Sequence, residues 1–148
     1  YGHWTAGRYF TTFNDYHFNV DGDGEIIYTR PIDEVPRATY HRNTGSIAIA
    51  LCCCYNARPG DLGEYPPTEA QIETLAKMFA VIAEVFDNPI DREHFMTHGE
   101  AANDDGYGLY SGEPDCRWDL EQLCDQDEIG TGGDIIRGKA QWYLENGV

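Results

Sequence analysis

His98 and Asp119 bracket a polar, Gly-rich stretch, HGEAANDDGYGLYSGEPDCRWD, with Arg117 two residues before the aspartate. A histidine and a carboxylate are two thirds of a catalytic zinc set. Such a zinc takes three protein ligands and keeps a fourth position open. Two neutral imidazoles and one carboxylate leave the ion net positive, which lowers the pKa of water toward about 7. The candidate third ligand is His3, in the opening HWTAG. On spacing alone this triple is one of many, because the chain has 5 histidines and 26 carboxylates.

Other groupings compete. His94 and His98 have helical ligand spacing, but Phe95-Met96-Thr97 between them reads as a strand without a preceding helix cap. His17 sits in a β-prone run and reads as a satisfied histidine, and His41 lies in a polar loop. Glu100 is two residues past His98; its expected part is orienting a histidine or capping a turn, ahead of proton transfer. No GxSxG motif supports a serine nucleophile. Cys52, Cys53 and Cys54 follow an apolar run and read as buried small hydrophobes. Cys116 and Cys124 are near enough in sequence to pair, though spacing alone does not establish it. With no CxxC, a zinc ribbon is not indicated.

A net charge of −16 over 148 residues argues against nucleic acid and anionic membranes, where lysine and arginine supply the affinity. It reads first as a solubility surface. No apolar run approaches the ~18 residues of a membrane span, and no signal-peptide pattern is visible. The length suits one domain over residues 1–148, its first strand starting at or before Tyr1, and a monomer is expected.

The elements that must position these residues are partly legible. Residues 2–5 read as the end of a strand, and Tyr9 to Asn14 as one helical turn. His17–Val20 and Glu25–Tyr28 form a hairpin around Asp21-Gly22-Asp23-Gly24. That DGDGE resembles the start of a calcium loop, but Ile26 and Ile27 stand where later ligands would follow, so a plain turn is expected. Ser46 to Cys52 suits a central strand covered on both faces. Thr68 with Gln71 fits a capping box opening a helix. Ile72, Leu75, Ala76, Phe79, Ile82 and Phe86 mark its buried face, widened by Met78, Val81 and Val85. The helix stops before Asn88-Pro89. Phe95–Thr97 is expected as a short strand delivering His98, Asp119–Cys124 as the start of a short helix, and Ile135–Glu145 as a closing helix. The sum is an α/β domain with a central mixed sheet flanked by helices.

The strings HWTAGRY, YHFNVDGDGEIIYTRP, NTGSIAIAL and THGEAA…RWDL occur in that order, with a helix opened by PTEAQ before the last. Together they resemble the zinc-dependent N-acetylmuramoyl-L-alanine amidases, a family that includes phage lysozymes of the amidase type, bacterial recycling amidases and animal peptidoglycan recognition proteins. The resemblance spans nearly the whole chain, and the HWTAG and RWDL versions look most like phage or prophage members.

The resemblance implies a Zn²⁺ held by His3, His98 and Asp119. It places Tyr16 at the tyrosine that lies close to the zinc in phage members. Arg117 stands where a lysine is usual, keeping the charge but not the capacity to titrate. Ala50 stands where recycling amidases carry a glutamate. The implied activity is hydrolysis of the amide between N-acetylmuramic acid and L-alanine in peptidoglycan or a muropeptide. The implied setting is an endolysin made in a host cytoplasm and acting on the wall. Alternatives within the family are a recycling amidase and a non-catalytic peptidoglycan-binding module. Trp4, Trp118, Tyr107 and Tyr110 are candidates for a groove lining, with a core position favoured for Trp4.

Overall fold

The computed structural model describes all residues, Tyr1–Val148. Its longest element is helix α1, Glu69–Phe86, and the expected capping box is present. The Gln71 backbone N–H donates to Thr68 Oγ1, and the Thr68 N–H donates to Gln71 Oε1. The helix ends at Asp87 in the left-handed conformation, ahead of Asn88-Pro89. Its buried stripe is Leu75, Ala76, Phe79, Ala80 and Ala83, together with Gln71. Val81, Val85 and Phe86 are exposed, contrary to the sequence expectation. Val81 and Val85 lie across the helix from Phe79 at 100° per residue, and Phe86 lies in the last turn. Gln71 is buried because its amide donates to Val20 O and Cys52 O, tying α1 to the ends of two strands.

Those strands belong to a four-stranded mixed sheet of order β1-β4-β2-β3: β1 Gly2–Trp4, β2 Phe18–Val20, β3 Ile26–Tyr28 and β4 Ile49–Leu51. β4 pairs in parallel with both β1 and β2, while β2 and β3 form the antiparallel hairpin. β4 is the expected central strand, fully buried, but shorter than its apolar run because its partners are three residues long. A Cβ on Gly2 would meet Leu75 and Phe79 of α1. Gly2 therefore faces α1, and His3 points to the opposite face.

Helix α2, His98–Asp105, and helix α3, Gly132–Asn146, complete the fold, with α3 packed on α1. Cys52, Cys53 and Cys54 are buried, as expected. Cys116 and Cys124 are unpaired thiols. Three local expectations fail. Tyr9–Asn14 holds a turn with Phe10 at φ 62° in place of a helical turn. Phe95–Thr97 makes only a bridge, Thr97 to Gly2, before the chain turns into α2. Asp119–Cys124 is a turn with Leu120 at φ 64°, not a helix start.

Candidate metal centre

Three elements deliver the buried polar groups at the edge of the sheet. His3 is the middle residue of β1, and His98 is the first residue of α2. Thr97 caps α2: the Glu100 N–H donates to Thr97 Oγ1, and the Thr97 N–H donates to Glu100 Oε1. Asp119 arrives on the turn before Leu120. It is docked by two backbone contacts, Gly99 N–H to Asp119 O at 3.1 Å and Trp4 N–H to Asp119 Oδ2 at 3.3 Å. A Cβ at Gly99 would lie 2.4 Å from Glu121 Cγ and 3.0 Å from Asp119 O, so the approach of α2 to this turn requires glycine.

The result is a triangle of donor atoms. His3 Nδ1 lies 3.2 Å from His98 Nδ1, His98 Nδ1 3.3 Å from Asp119 Oδ2, and His3 Nδ1 3.6 Å from Asp119 Oδ2. Ligands about 2.0–2.2 Å from a tetrahedral zinc are separated by roughly 3.3–3.5 Å, which matches all three sides. The far nitrogens are also partnered: His3 Nε2 is 3.3 Å from Thr39 Oγ1, and His98 Nε2 is 3.3 Å from Tyr107 OH. With a proton on each Nε2, donated to these hydroxyl oxygens, both Nδ1 lone pairs and the carboxylate converge on one point. The long Trp4 N–H contact to Asp119 Oδ2 offsets little of that convergence, and a cation would offset it fully. The residues therefore fit a metal of the zinc class.

The electrostatics agree. Burial lowers the His3 pKa to about 4, against the opposing pull of Asp119, so the imidazole is neutral at pH 7. Burial alone would raise the Asp119 carboxyl, but its contacts with His3 and His98 hold it well below the ordinary carboxylate range. His3 and Asp119 thus supply one neutral and one anionic donor.

Around the triangle, the Tyr16 ring lies 5.2 Å from the His3 ring, centroid to centroid. Burial, and then the Asp119 charge, push the Tyr16 phenol far above its usual range, so it stays a hydrogen-bond donor. Tyr16, Trp118, Arg117, His98 and Asp119 share a cavity of about 390 Å³. A larger cleft of about 840 Å³ runs on past His98, Tyr107, Arg117, Arg42 and Arg37. Arg117 is exposed and folds back on its own loop, its Nη1 donating to Asp115 O and Cys116 O. Trp4 is buried and packs edge-on against the half-buried Trp118. Tyr107 lines the larger cleft, whereas Tyr110 is largely exposed.

Glu100 has a structural part. Both its oxygens accept hydrogen bonds from Arg137 of α3 at 2.7 Å, and Arg137 also donates to Phe95 O. This buried fork fixes the start of α2, and with it His98. His94 is exposed and bonds Asp91, and His17 is satisfied by Glu34 O and the Ala48 N–H. Neither competes for the centre. The Thr97-x-x-Glu100 capping box was readable in the sequence as a helix start. Thr39 and Arg137 carry no local signal and emerge only from the fold, while Tyr107, a groove candidate by sequence, also reaches His98 Nε2.

The profile described as N-acetylmuramoyl-L-alanine amidase matches residues 2–109, and the chain belongs to that family. Neither curated proteins nor solved structures give a match. His3, Tyr16 and His98 fall inside the matched span. Arg117 and Asp119 lie beyond it, and the folded chain brings Asp119 back to the two histidines. Family membership points to a peptidoglycan amidase.

Proposed function

We propose that the protein is a zinc-dependent N-acetylmuramoyl-L-alanine amidase that cleaves the amide between N-acetylmuramic acid and the first L-alanine of the stem peptide, working as a phage or prophage endolysin. The observation that carries this reading is the buried donor triangle of His3, His98 and Asp119 at the foot of the cleft. Zinc held there would activate water at neutral pH and polarise the scissile carbonyl.

The protein's own residues supply the rest. Thr39 and Tyr107 orient the two imidazoles through Nε2. Tyr16, held protonated, donates a hydrogen bond to the oxygen that gains charge as the carbonyl becomes tetrahedral. Arg117 brings a permanent charge to the rim of the same cavity and does not exchange protons. The glycan and stem peptide of peptidoglycan, or of a muropeptide, occupy the cleft along Tyr107 and Arg42.

Within the family, the presence of Asp119 favours a hydrolase over a binding module lacking a third ligand. Ala50, with no carboxylate on the central strand, favours the Tyr16 arrangement over that of recycling amidases. Host-cytoplasmic synthesis and action on the wall follow from the endolysin reading. No helix is long and apolar enough to cross a membrane. Digestion of purified peptidoglycan tests the reading: new L-alanyl amino termini should appear without new reducing sugar ends. Reducing ends without amino termini would refute it.

A further inference from the structure

Two arginines stand apart from the charge pattern of the rest of the chain. There are 10 lysines and arginines against 26 carboxylates, and Arg42, Arg92 and Arg137 are each held by a carboxylate at 2.7–2.9 Å. Arg37 has only a 3.5 Å contact with Asp15, with both side chains exposed, and such a pair contributes little. Arg117 forms no ion pair. Its Nη1 bonds carbonyls of its own loop, and its Nε and Nη2 bond nothing in the protein.

Their position gives the pair its meaning. The cavity of about 390 Å³ over the donor triangle and the cleft of about 840 Å³ beyond it share Arg37, Ala38, His98 and Arg117 as lining residues. These residues form the neck between the two spaces, so two guanidinium groups flank the passage beside a candidate metal ligand. The neck is fixed from behind. The Arg37 N–H donates to Asp15 O at 2.9 Å, the Ala38 and Thr39 N–H groups donate to Asn43 Oδ1, and Thr39 Oγ1 reaches His3 Nε2. The carboxylates nearby do not cancel this charge. Asp105 is neutralised by Arg42, and Asp119 faces the imidazoles. Asp15, Glu113 and Asp115 reach solvent, where water and salt screen them.

Guanidinium groups with free donors bind a planar anion, above all a carboxylate. Which carboxylate follows from the amidase reading, on which this inference rests. The scissile amide joins the lactyl group to L-alanine, whose own carboxyl is consumed in the next peptide bond. The following residue of a stem peptide is a γ-linked glutamate, whose α-carboxyl is either free or capped as an amide. Two residues of extended chain reach about 7 Å, which brings that carboxyl to the neck, while the stem's terminal carboxyl lies further on. We propose that Arg37, together with Arg117, reads this free α-carboxylate and so selects acidic stems over amidated ones. A carboxamide keeps one acceptor oxygen and turns an NH₂ donor toward guanidinium groups that have no acceptor.

Two soluble muropeptides that differ only at this group, α-carboxyl or α-carboxamide, test the proposal on the purified full chain with zinc present. The free acid should be cleaved with a kcat/KM higher by about tenfold or more, the size of one charge-assisted hydrogen bond, and the difference should lie in KM. A third substrate, amidated only at the stem's terminal carboxyl, should be cleaved like the free acid. Arg37→Gln, at an exposed position, should lower the acid-to-amide ratio by about tenfold. Arg58→Gln, at an exposed arginine that lines neither cavity, should leave the ratio at the parent's value. Equal kcat/KM for acid and amide in the parent would overturn the carboxylate assignment and leave the amidase reading intact, whereas cleavage of neither would overturn both. A ratio unaltered in Arg37→Gln, or a preference that follows the terminal carboxyl instead, would remove Arg37 from this role.

Discussion

Replacing Arg137 with methionine should destabilise the protein strongly and loosen the metal centre, although Arg137 touches no candidate ligand. The guanidinium makes two 2.7 Å bonds to Glu100 and one of 2.9 Å to Phe95 O, and both charged side chains of the pair are 9% exposed. Its further bond to Asp134, an 85% exposed carboxylate, contributes little. Arg137→Met leaves the Glu100 carboxylate buried, with only the half-exposed Arg92 guanidinium, 3.6 Å away, as a cationic partner. Breaking a buried pair in this way costs about 3–5 kcal/mol. For a chain of this size that is a fall in Tm of roughly 6–20 °C. Glu100 is also the third residue of α2 and accepts from the Thr97 N–H, so its displacement moves the helix start that carries His98. Thermal and urea unfolding, with zinc counted per chain after dialysis, measure both effects. The double variant Glu100→Gln/Arg137→Met removes the stranded charge and should recover about half the loss or more. A single variant within about 1 kcal/mol of the parent, or a double variant no more stable than the single one, would refute this reasoning.

Gly99→Ala should lower zinc retention more than overall stability, because a Cβ there pushes the Asp119 turn away from α2; metal content equal to the parent's would count against the close approach. Tyr16→Phe should reduce kcat by about a hundredfold with zinc content unchanged, and an unaltered kcat would remove Tyr16 from the oxyanion. In chelator, the metal-free protein should lose stability as pH falls from 6.5 to about 4, because His3 binds its proton more weakly folded than unfolded. The slope from this one group is at most about 1.4 kcal/mol per pH unit, and a Tm flat across that window would contradict a buried neutral His3.

Much of the scaffold was legible because its signals are local. The Thr68–Gln71 cap, the DGDG turn and the apolar run into Cys52 each announce their element, and the order of the motifs announces the family. The readings that failed did so where tertiary contacts decide. Phe95-Met96-Thr97 looks like a strand by composition, yet only Thr97 bridges Gly2 before capping α2. Val81 and Val85 extend an apolar pattern onto a face that nothing covers. The metal triple was one of many combinations in sequence; register did the selection. β1 turns His3 away from α1, and Gly99 lets the Asp119 turn reach the start of α2. Thr39 and Arg137 were invisible because each acts through a partner distant in the chain.

The central claim is that His3, His98 and Asp119 together hold one catalytic zinc. Metal analysis of the purified protein alongside Asp119→Ala, each assayed on peptidoglycan, tests it most directly. The account predicts about one zinc per chain and release of L-alanyl amino termini for the parent, with both lost in Asp119→Ala. A parent that cleaves without zinc, or an Asp119→Ala variant that keeps both zinc and activity, would contradict it.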